Sequence, residues 1–389
     1  MSASYRNMRR WRFPVTMVVA TCCILYHYGA FTRIPGIGSI SIKNFLGTMR
    51  FTTDPMDPVF VLILCHGKRV GIANEPTTRQ IQQTMVMMKS ATTLTARRLR
   101  YYIIVDSDEI QNELLNEMLD WPTDYRNKIT LIFIPVWYPE GRTEMINLGS
   151  VCVIERLFIS EIIKEESAVI YVDTDTLFMR PPEDLWDVFW KFTPTQVAAM
   201  SPCLFHYGTS KKSKTPFFGK TGLNAGLIMM NLTRMREFPG GGFIEANNKA
   251  FNKYRNDIAL ADQDILNIVF SQYPDHLYEL GCEWNYRPWQ CRLGKNTCPE
   301  TSVTGASLVH GNTRAFVSGT EPKLQILYDC WKSHEMGSSL TEFYTNLTDT
   351  LHLVMLGDCK TQCCKLHAID TVLTQQLRTY LQNKNLLKK

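Results

Sequence analysis

The chain has 389 residues, 45% hydrophobic and 20% charged, with no run of low complexity. That length fills one large domain or two ordinary ones, and the balance is globular rather than disordered. The net charge of +5 is modest, and several surplus cations lie at the ends (Arg6, Arg9, Arg10 and Arg12; Lys384, Lys388 and Lys389), so no interior basic stripe points to nucleic acid as a partner.

Behind the first arginines comes FPVTMVVATCCILYHYGAF, residues 13–31, without acidic or strongly basic residues. At ~1.5 Å rise per residue it roughly spans a hydrocarbon core of ~30 Å. The preceding arginines place residues 1–12 in the cytosol and the rest of the chain in the lumen of the ER or Golgi, as a single-pass type II membrane protein. A cleaved signal peptide is the alternative; its small-x-small end is poor because Tyr28 stands two before Ala30, which favours a retained anchor. Residues 32–57 lack periodicity and read as a stem.

A catalytic domain is expected over 58–340. PVFVLILC (58–65) is a continuous apolar run, as in a strand buried on both faces. A helix is predicted over 78–95, then strands and helices at 101–106, 109–121, 129–136, 151–163 and 168–173 in alternation, which predicts an α/β, largely parallel sheet. Further on, 196–202, 225–232, 277–280 and 306–311 read as strands, and 241–256, 262–272 and 323–334 as helices, leading into a helical tail over 341–389.

Of the twelve cysteines, Cys22 and Cys23 lie in the apolar segment, while the clusters Cys282, Cys291, Cys298 and Cys359, Cys363, Cys364 read as disulfides of an oxidising lumen. CKTQCC has no second ligand pair at zinc-finger spacing. NLT occurs at Asn231 and Asn346; Asn231 ends an apolar run, so Asn346 is the better glycan acceptor.

Four motifs carry chemistry. In IYVDTDTLFMRPPEDLW, Asp173 and Asp175 stand two apart at a strand end, where their carboxylates address one point. Two such carboxylates repel unless a cation or proton lies between them. An acidic turn is the bland reading; the position favours a ligand, because α/β sheets bind ligands beyond the carboxyl ends of their strands. In GLNAGLIMMNL, Gly226 permits close backbone approach and Asn224 offers a two-sided amide, although a turn explains both. In ADQDILN, Asp262 is a candidate helix cap, and Gln263 is a neutral amide able to stabilise a cationic transition state. His310, at a strand end in LVHGN, becomes a metal-ligand candidate once two carboxylates are near.

This order of D-x-D, N-A-G, D-Q-D, W-N and H-G resembles glycosyltransferase family 8, the retaining nucleotide-sugar enzymes, over about residues 58–335. IYVDTDTLFMRP, MNLTRMR and CEWNYRPWQC are similar to its glucoside xylosyltransferase branch. The resemblance implies an α/β fold of GT-A (Rossmann-like) type, a mixed sheet flanked by helices in one catalytic domain. It implies that Asp173, Asp175 and His310 hold Mn2+ against the donor diphosphate, with Thr174 as the spacer between the carboxylates. Arg156 would reach the nucleotide-sugar, and Cys65 and His66 the uridine. Asn224, Ala225 and Gly226 would line the donor sugar, Asp262 would bind its hydroxyls, and Gln263 would lie beneath the anomeric carbon. Trp284 and Asn285 would border the acceptor, and Gly311 would approach the phosphate. The implied reaction moves xylose from UDP-xylose to O-linked glucose on EGF-like repeats. Rival readings are a family member using UDP-glucose, UDP-galactose or UDP-GlcNAc, a glycan-binding pseudoenzyme, and a metal-dependent phosphohydrolase. Three departures stand out: Ala225 replaces a common serine, HGNTR carries an extra residue before Arg314, and Ala261 replaces a glycine with an expected neutral effect.

Overall fold

The computed structural model describes residues 57–66, 75–141, 143–146, 148, 152–207, 213–356 and 359–388. The predicted cytosolic tail, the anchor and all of the stem except Asp57 lie outside these. No helix among the described residues is long and apolar enough to cross a membrane.

Four apolar runs form a contiguous parallel set on one side of the sheet: β1 (Val59–Leu64), β2 (Leu99–Val105), β3 (Ile129–Pro135) and β4 (Ala168–Val172). Phe60, Leu62, Ile103 and Ile170 are fully buried, because helices cover both faces and leave no solvated side on which polar residues could alternate. Helix α1 (Glu75–Leu94) and helix α2 (Asp108–Leu119) supply the crossovers from β1 to β2 and from β2 to β3. The third crossover departs from expectation. Instead of one α-helix over 151–163, a 3-10 helix (Val153–Phe158) runs into a single α-turn (Ile159–Ile162). The Val153 carbonyl, which an α-helix would use for residue 157, instead accepts from Nε of Arg156 at 3.1 Å.

After β4 come β5 (Thr176–Phe178), β6 (Ala198–Pro202), β7 (Leu223–Asn231), β8 (Leu277–Glu279) and β9 (Leu308–His310). The main sheet has the order β3-β2-β1-β4-β7-β6-β8, and β5 pairs with β9 in a separate two-stranded sheet. Strand β7 runs antiparallel to both β4 and β6 and is the one reversed strand of the seven, so the sheet is mixed but largely parallel, as expected. This reversal builds the site: it lays the start of β7, with Asn224 to Gly226, beside the carboxyl end of β4. Asp173 N–H donates to the Gly226 carbonyl at 2.9 Å.

Helices α3 (Phe243–Tyr254) and α4 (Asp262–Gln272) follow β7. The expected helical tail is present as α5 (Pro322–Ser333), α6 (Leu340–Leu356) and α7 (Ile369–Asn383). It belongs to the same compact unit, Met56–Lys389, tied down by the ion pair of the buried Lys323 with the half-buried Asp370 and by the Cys291–Cys363 disulfide. Disulfides also join Cys65 to Cys152, Cys282 to Cys298 and Cys359 to Cys364, while Cys203 and Cys330 are free and buried. Asn346 is exposed on α6, whereas the Asn231 side chain is half-buried and caps the turn Leu232–Arg236 by accepting from Arg234 N–H at 3.0 Å.

Candidate active site

Three candidate metal ligands converge at the carboxyl end of β4. The β5–β9 pairing sets Thr176 opposite His310, and Gly311 N–H donates to the Asp175 carbonyl at 2.7 Å. His310 Nε2 therefore lies 3.2 Å from Asp175 Oδ1 and 3.5 Å from Asp173 Oδ2. One ligand atom from each of the three lies within 4.8 Å of the others, as a shared cation requires. Glycine 226 keeps the space open. A Cβ there would stand 2.2 Å from His310 Cε1 and 3.0 Å from Asp173 Oδ2.

The imidazole is oriented from behind. Asn285 is fully buried; its Nδ2 donates to Asn224 Oδ1 at 2.8 Å, which leaves its Oδ1, 2.9 Å away, to accept from His310 Nδ1–H. With the proton on Nδ1, the Nε2 lone pair faces the carboxylates, the tautomer a metal ligand needs. The donor set of one imidazole and two carboxylates, aimed at one point, fits a divalent ion such as Mn2+.

The chain of amides continues. Asn224 Nδ2 donates to Gln263 Oε1 (2.7 Å), Gln263 Nε2 to Tyr207 Oη (3.4 Å), and Tyr207 O–H to Asp264 Oδ1 (2.7 Å). Every link from His310 to Asp264 donates in the same direction, so each bond polarises the next. The chain ends on a carboxylate whose Oδ2 accepts N–H from Ala259 (2.7 Å) and Leu260 (2.8 Å). Asp264, not Asp262, therefore satisfies the backbone ahead of α4. Asp262 is the first helical residue and makes no cap.

Asp262 is instead almost wholly buried and faces Arg156, with Nε 3.3 Å from Oδ2. Burial pushes its pKa up to about 6 against the opposing pull of Arg156. The same guanidinium donates to the Ala225 carbonyl at 2.8 Å, stands 3.3 Å from Asp173 Oδ1 and stacks 4.3 Å over Tyr171. For Asp175, burial raises the pKa, but in the metal-free site a protonated His310, hydrogen bonding and the charge of Arg79 together outweigh it, so the carboxyl lies below its ordinary value.

Two cavities meet at this cluster. The larger, about 590 Å³, lies on the β7 side and includes Asn224, Ala225, Gly226, Asp262 and Gln263 in its lining. The smaller, about 250 Å³, opens between β1, α1 and the 3-10 helix. Arg156, Asp173 and Asp175 line both, and Thr174 lines the smaller.

Several predicted residues sit elsewhere. Cys65 lines the smaller cavity, but its sulfur is bound to Cys152. His66 lies outside both cavities, its N–H donating to Asp106 Oδ2 at 2.9 Å and its Nδ1 3.0 Å from Ser107 Oγ. Trp284 is 5% exposed and lies under Arg180, 5.3 Å from its guanidinium, so it borders neither cavity. Asn285 reaches the site only through His310 and Asn224. Gly311 has its N–H occupied by Asp175, and a Cβ there would strike the Phe316 ring at 2.3 Å.

Further residues line the larger cavity. The outer wall of the larger cavity carries Phe205 stacked on Trp289, ring centroids 4.3 Å apart, with Arg287 beside them. The tryptophan in RPWQC was the only sequence signal for that wall.

The chain matches the family "Glycosyl transferase family 8" over residues 56–315. It is 33% identical to mouse glucoside xylosyltransferase 2 over 301 residues, covering 74% of this chain and 66% of that protein. It is 32% identical to zebrafish (Danio rerio) glucoside xylosyltransferase 1 over 340 residues, covering 84% of this chain and 81% of that one. Among solved structures, apo mouse xyloside xylosyltransferase 1 superposes with a TM-score of 0.48 at 18% identity, covering 66% of this chain and 98% of that one.

Proposed function

The chain belongs to glycosyl transferase family 8, and on that premise we propose that it is a retaining α-1,3-xylosyltransferase moving xylose from UDP-xylose to O-linked glucose on EGF-like repeats. The observation that carries the transferase reading is the Asp173, Asp175 and His310 cluster at the junction of two cavities. The names of the relatives support the choice of sugar and acceptor. Four disulfides support a luminal location, with the N-terminal segment as membrane anchor.

In this reading the nucleotide occupies the smaller cavity, the diphosphate meets the cluster, and the xylose enters the larger cavity beside Asn224 and Ala225. A divalent ion held by Asp173, Asp175 and His310 would act as a Lewis acid on the departing diphosphate. Gln263 Oε1 already accepts from Asn224 Nδ2 and from Ala225 N–H at 3.2 Å, so it has no lone pair to spare as a nucleophile. Its role is to fix the loop under the sugar. Same-face substitution follows: the C1–O bond to the β-phosphate breaks, the bond from C1 to the acceptor oxygen forms, and the acceptor proton passes to the departing phosphate oxygen. Phe205 and Trp289 offer the acceptor sugar an apolar face at the cavity wall.

A panel of UDP-sugars assayed with Mn2+ tests the donor, scoring hydrolysis and transfer to an O-glucosylated EGF repeat. UDP-xylose is expected to be preferred; equal or better use of UDP-glucose, UDP-galactose or UDP-GlcNAc overturns the xylosyl reading. A covalent pentosyl adduct on the stalled enzyme, seen by mass spectrometry, overturns same-face attack.

A further inference from the structure

Helix α1 turns one polar stripe toward the smaller cavity. Arg79 and Gln83 are four residues apart, one above the other on the helix face, and both line that cavity. Gln83 is 5% exposed, yet its carboxamide has no hydrogen-bond partner among the described residues. Its amide atoms line the cavity and are not sealed from it, so they are open to pair with a ligand that enters there. Arg79 is half-buried, with no ion pair or hydrogen bond among the described residues.

Charge makes the same point. At the junction, Asp173, Asp175 and Asp262 bring three negative charges, which Arg156 and a divalent ion would cancel. A diphosphate entering there adds about two more negative charges that these groups leave uncompensated. Arg79 and the exposed Arg314 are the other cations lining the cavity. Ile63, Val153 and the Cys65–Cys152 disulfide give the remaining wall an apolar patch, beside Gln80, Tyr171 and Thr174, that suits the flat face of a base.

We propose that Gln83 and Arg79 are the nucleotide-reading residues of this chain: the Gln83 carboxamide pairs with the N3–H and an adjacent carbonyl of a uracil ring, and Arg79 binds an oxygen of the diphosphate. The inference rests on the UDP-sugar reading above and goes beyond it by naming the groups that select the nucleotide. A carboxamide matches the cis-amide edge of uracil, accepting from N–H through Oε1 and donating to C=O through Nε2.

Isothermal titration of the whole protein with UDP in the presence of Mn2+ tests this. Gln83→Leu should weaken UDP about tenfold or more, since losing a buried bidentate pair costs at least ~1.4 kcal/mol. N3-methyl-UDP should bind the wild type correspondingly worse, but carry no further penalty in Gln83→Leu. Arg79→Met should weaken UDP and leave uridine unaffected. Gln83→Leu loses no protein partner, so its melting temperature should not fall; Gln83→Glu, which removes the Nε2 donor, repeats the test independently. Unchanged UDP affinity in the Gln83 variants, or a methyl penalty that persists in Gln83→Leu, overturns this inference while leaving the donor reading intact. A wild type that binds no UDP overturns both.

Discussion

Asn285 holds the Nδ1 edge of His310 at 2.9 Å while its own amide nitrogen is committed to Asn224 at 2.8 Å, so it dictates which imidazole nitrogen faces Asp173 and Asp175. Asn285→Leu removes that control and strands two buried polar groups. The variant should lose about 10- to 100-fold in Mn2+ affinity, the usual cost of deleting the partner of a ligating histidine. Titration of the nucleotide-free protein with Mn2+ reads this directly; wild-type affinity would refute the orienting role.

Asp264 anchors the far end of the same hydrogen-bond chain. Its Oδ1 accepts from Tyr207 and its Oδ2 from two backbone N–H groups. An amide in its place must point an NH2 at one of these donors, whichever way it is turned. Asp264→Asn should therefore lower stability by about 1–3 kcal/mol, seen in urea unfolding. Tyr207→Phe keeps the carboxylate and should cost less. Equal losses in the two variants would contradict this ordering.

Gly226 is the steric condition for the cluster. Its absent Cβ would lie 2.2 Å from Cε1 and 2.6 Å from Nδ1 of His310, so Gly226→Ala must displace the ring. Overpacking at a buried site costs roughly 1–3 kcal/mol; metal binding should be lost well before the fold is. Retained Mn2+ binding in a folded Gly226→Ala protein would show that the ring has room to move.

The parallel strands and most of the helices were legible because each signal is local: an apolar run such as VFVLIL, or a helical period. The D-x-D pair and His310 were legible as residue types at strand ends. The direction of β7 was not, since nothing local to a strand specifies which way it enters a sheet. Nor was β5, three residues whose only partner, β9, lies over a hundred positions away in the chain. The burial of Trp284 and the Cys65–Cys152 bond depend on similarly distant partners. A motif letter shows that an asparagine precedes Tyr286; it does not show that its amide is shared between Asn224 and His310.

Ala261 is a residue whose backbone contradicts the neutral effect expected from sequence. It adopts φ 47° and ψ −122°, a region that a side chain with Cβ enters only under strain. Such a conformation costs about 1–3 kcal/mol, while glycine loses only about 0.5–1 kcal/mol more backbone freedom on folding. Ala261→Gly should raise the melting temperature by several degrees, with donor kinetics little changed. A lower melting temperature would mean that the surroundings have relaxed around the alanine.

Glu155, beside Arg156 in the 3-10 helix, gives the fold a pH dependence. It is fully buried; Oε1 accepts from Trp137 N–H at 2.7 Å and Oε2 has no partner among the described residues. Burial pushes its pKa up to about 8, partly offset by the Trp137 N–H, against an ordinary 4.5. Between those values the folded chain keeps a proton that the unfolded chain has released. Stability must therefore fall as pH rises through that window, by up to ~1.4 kcal/mol per pH unit from this group alone. Glu155→Gln keeps the Trp137 contact and abolishes the proton uptake. Urea unfolding at pH 5.5 and pH 8 should show the variant losing less stability than the wild type across the interval. Parallel losses in the two proteins would mean that Glu155 is ionised in the folded state at neutral pH.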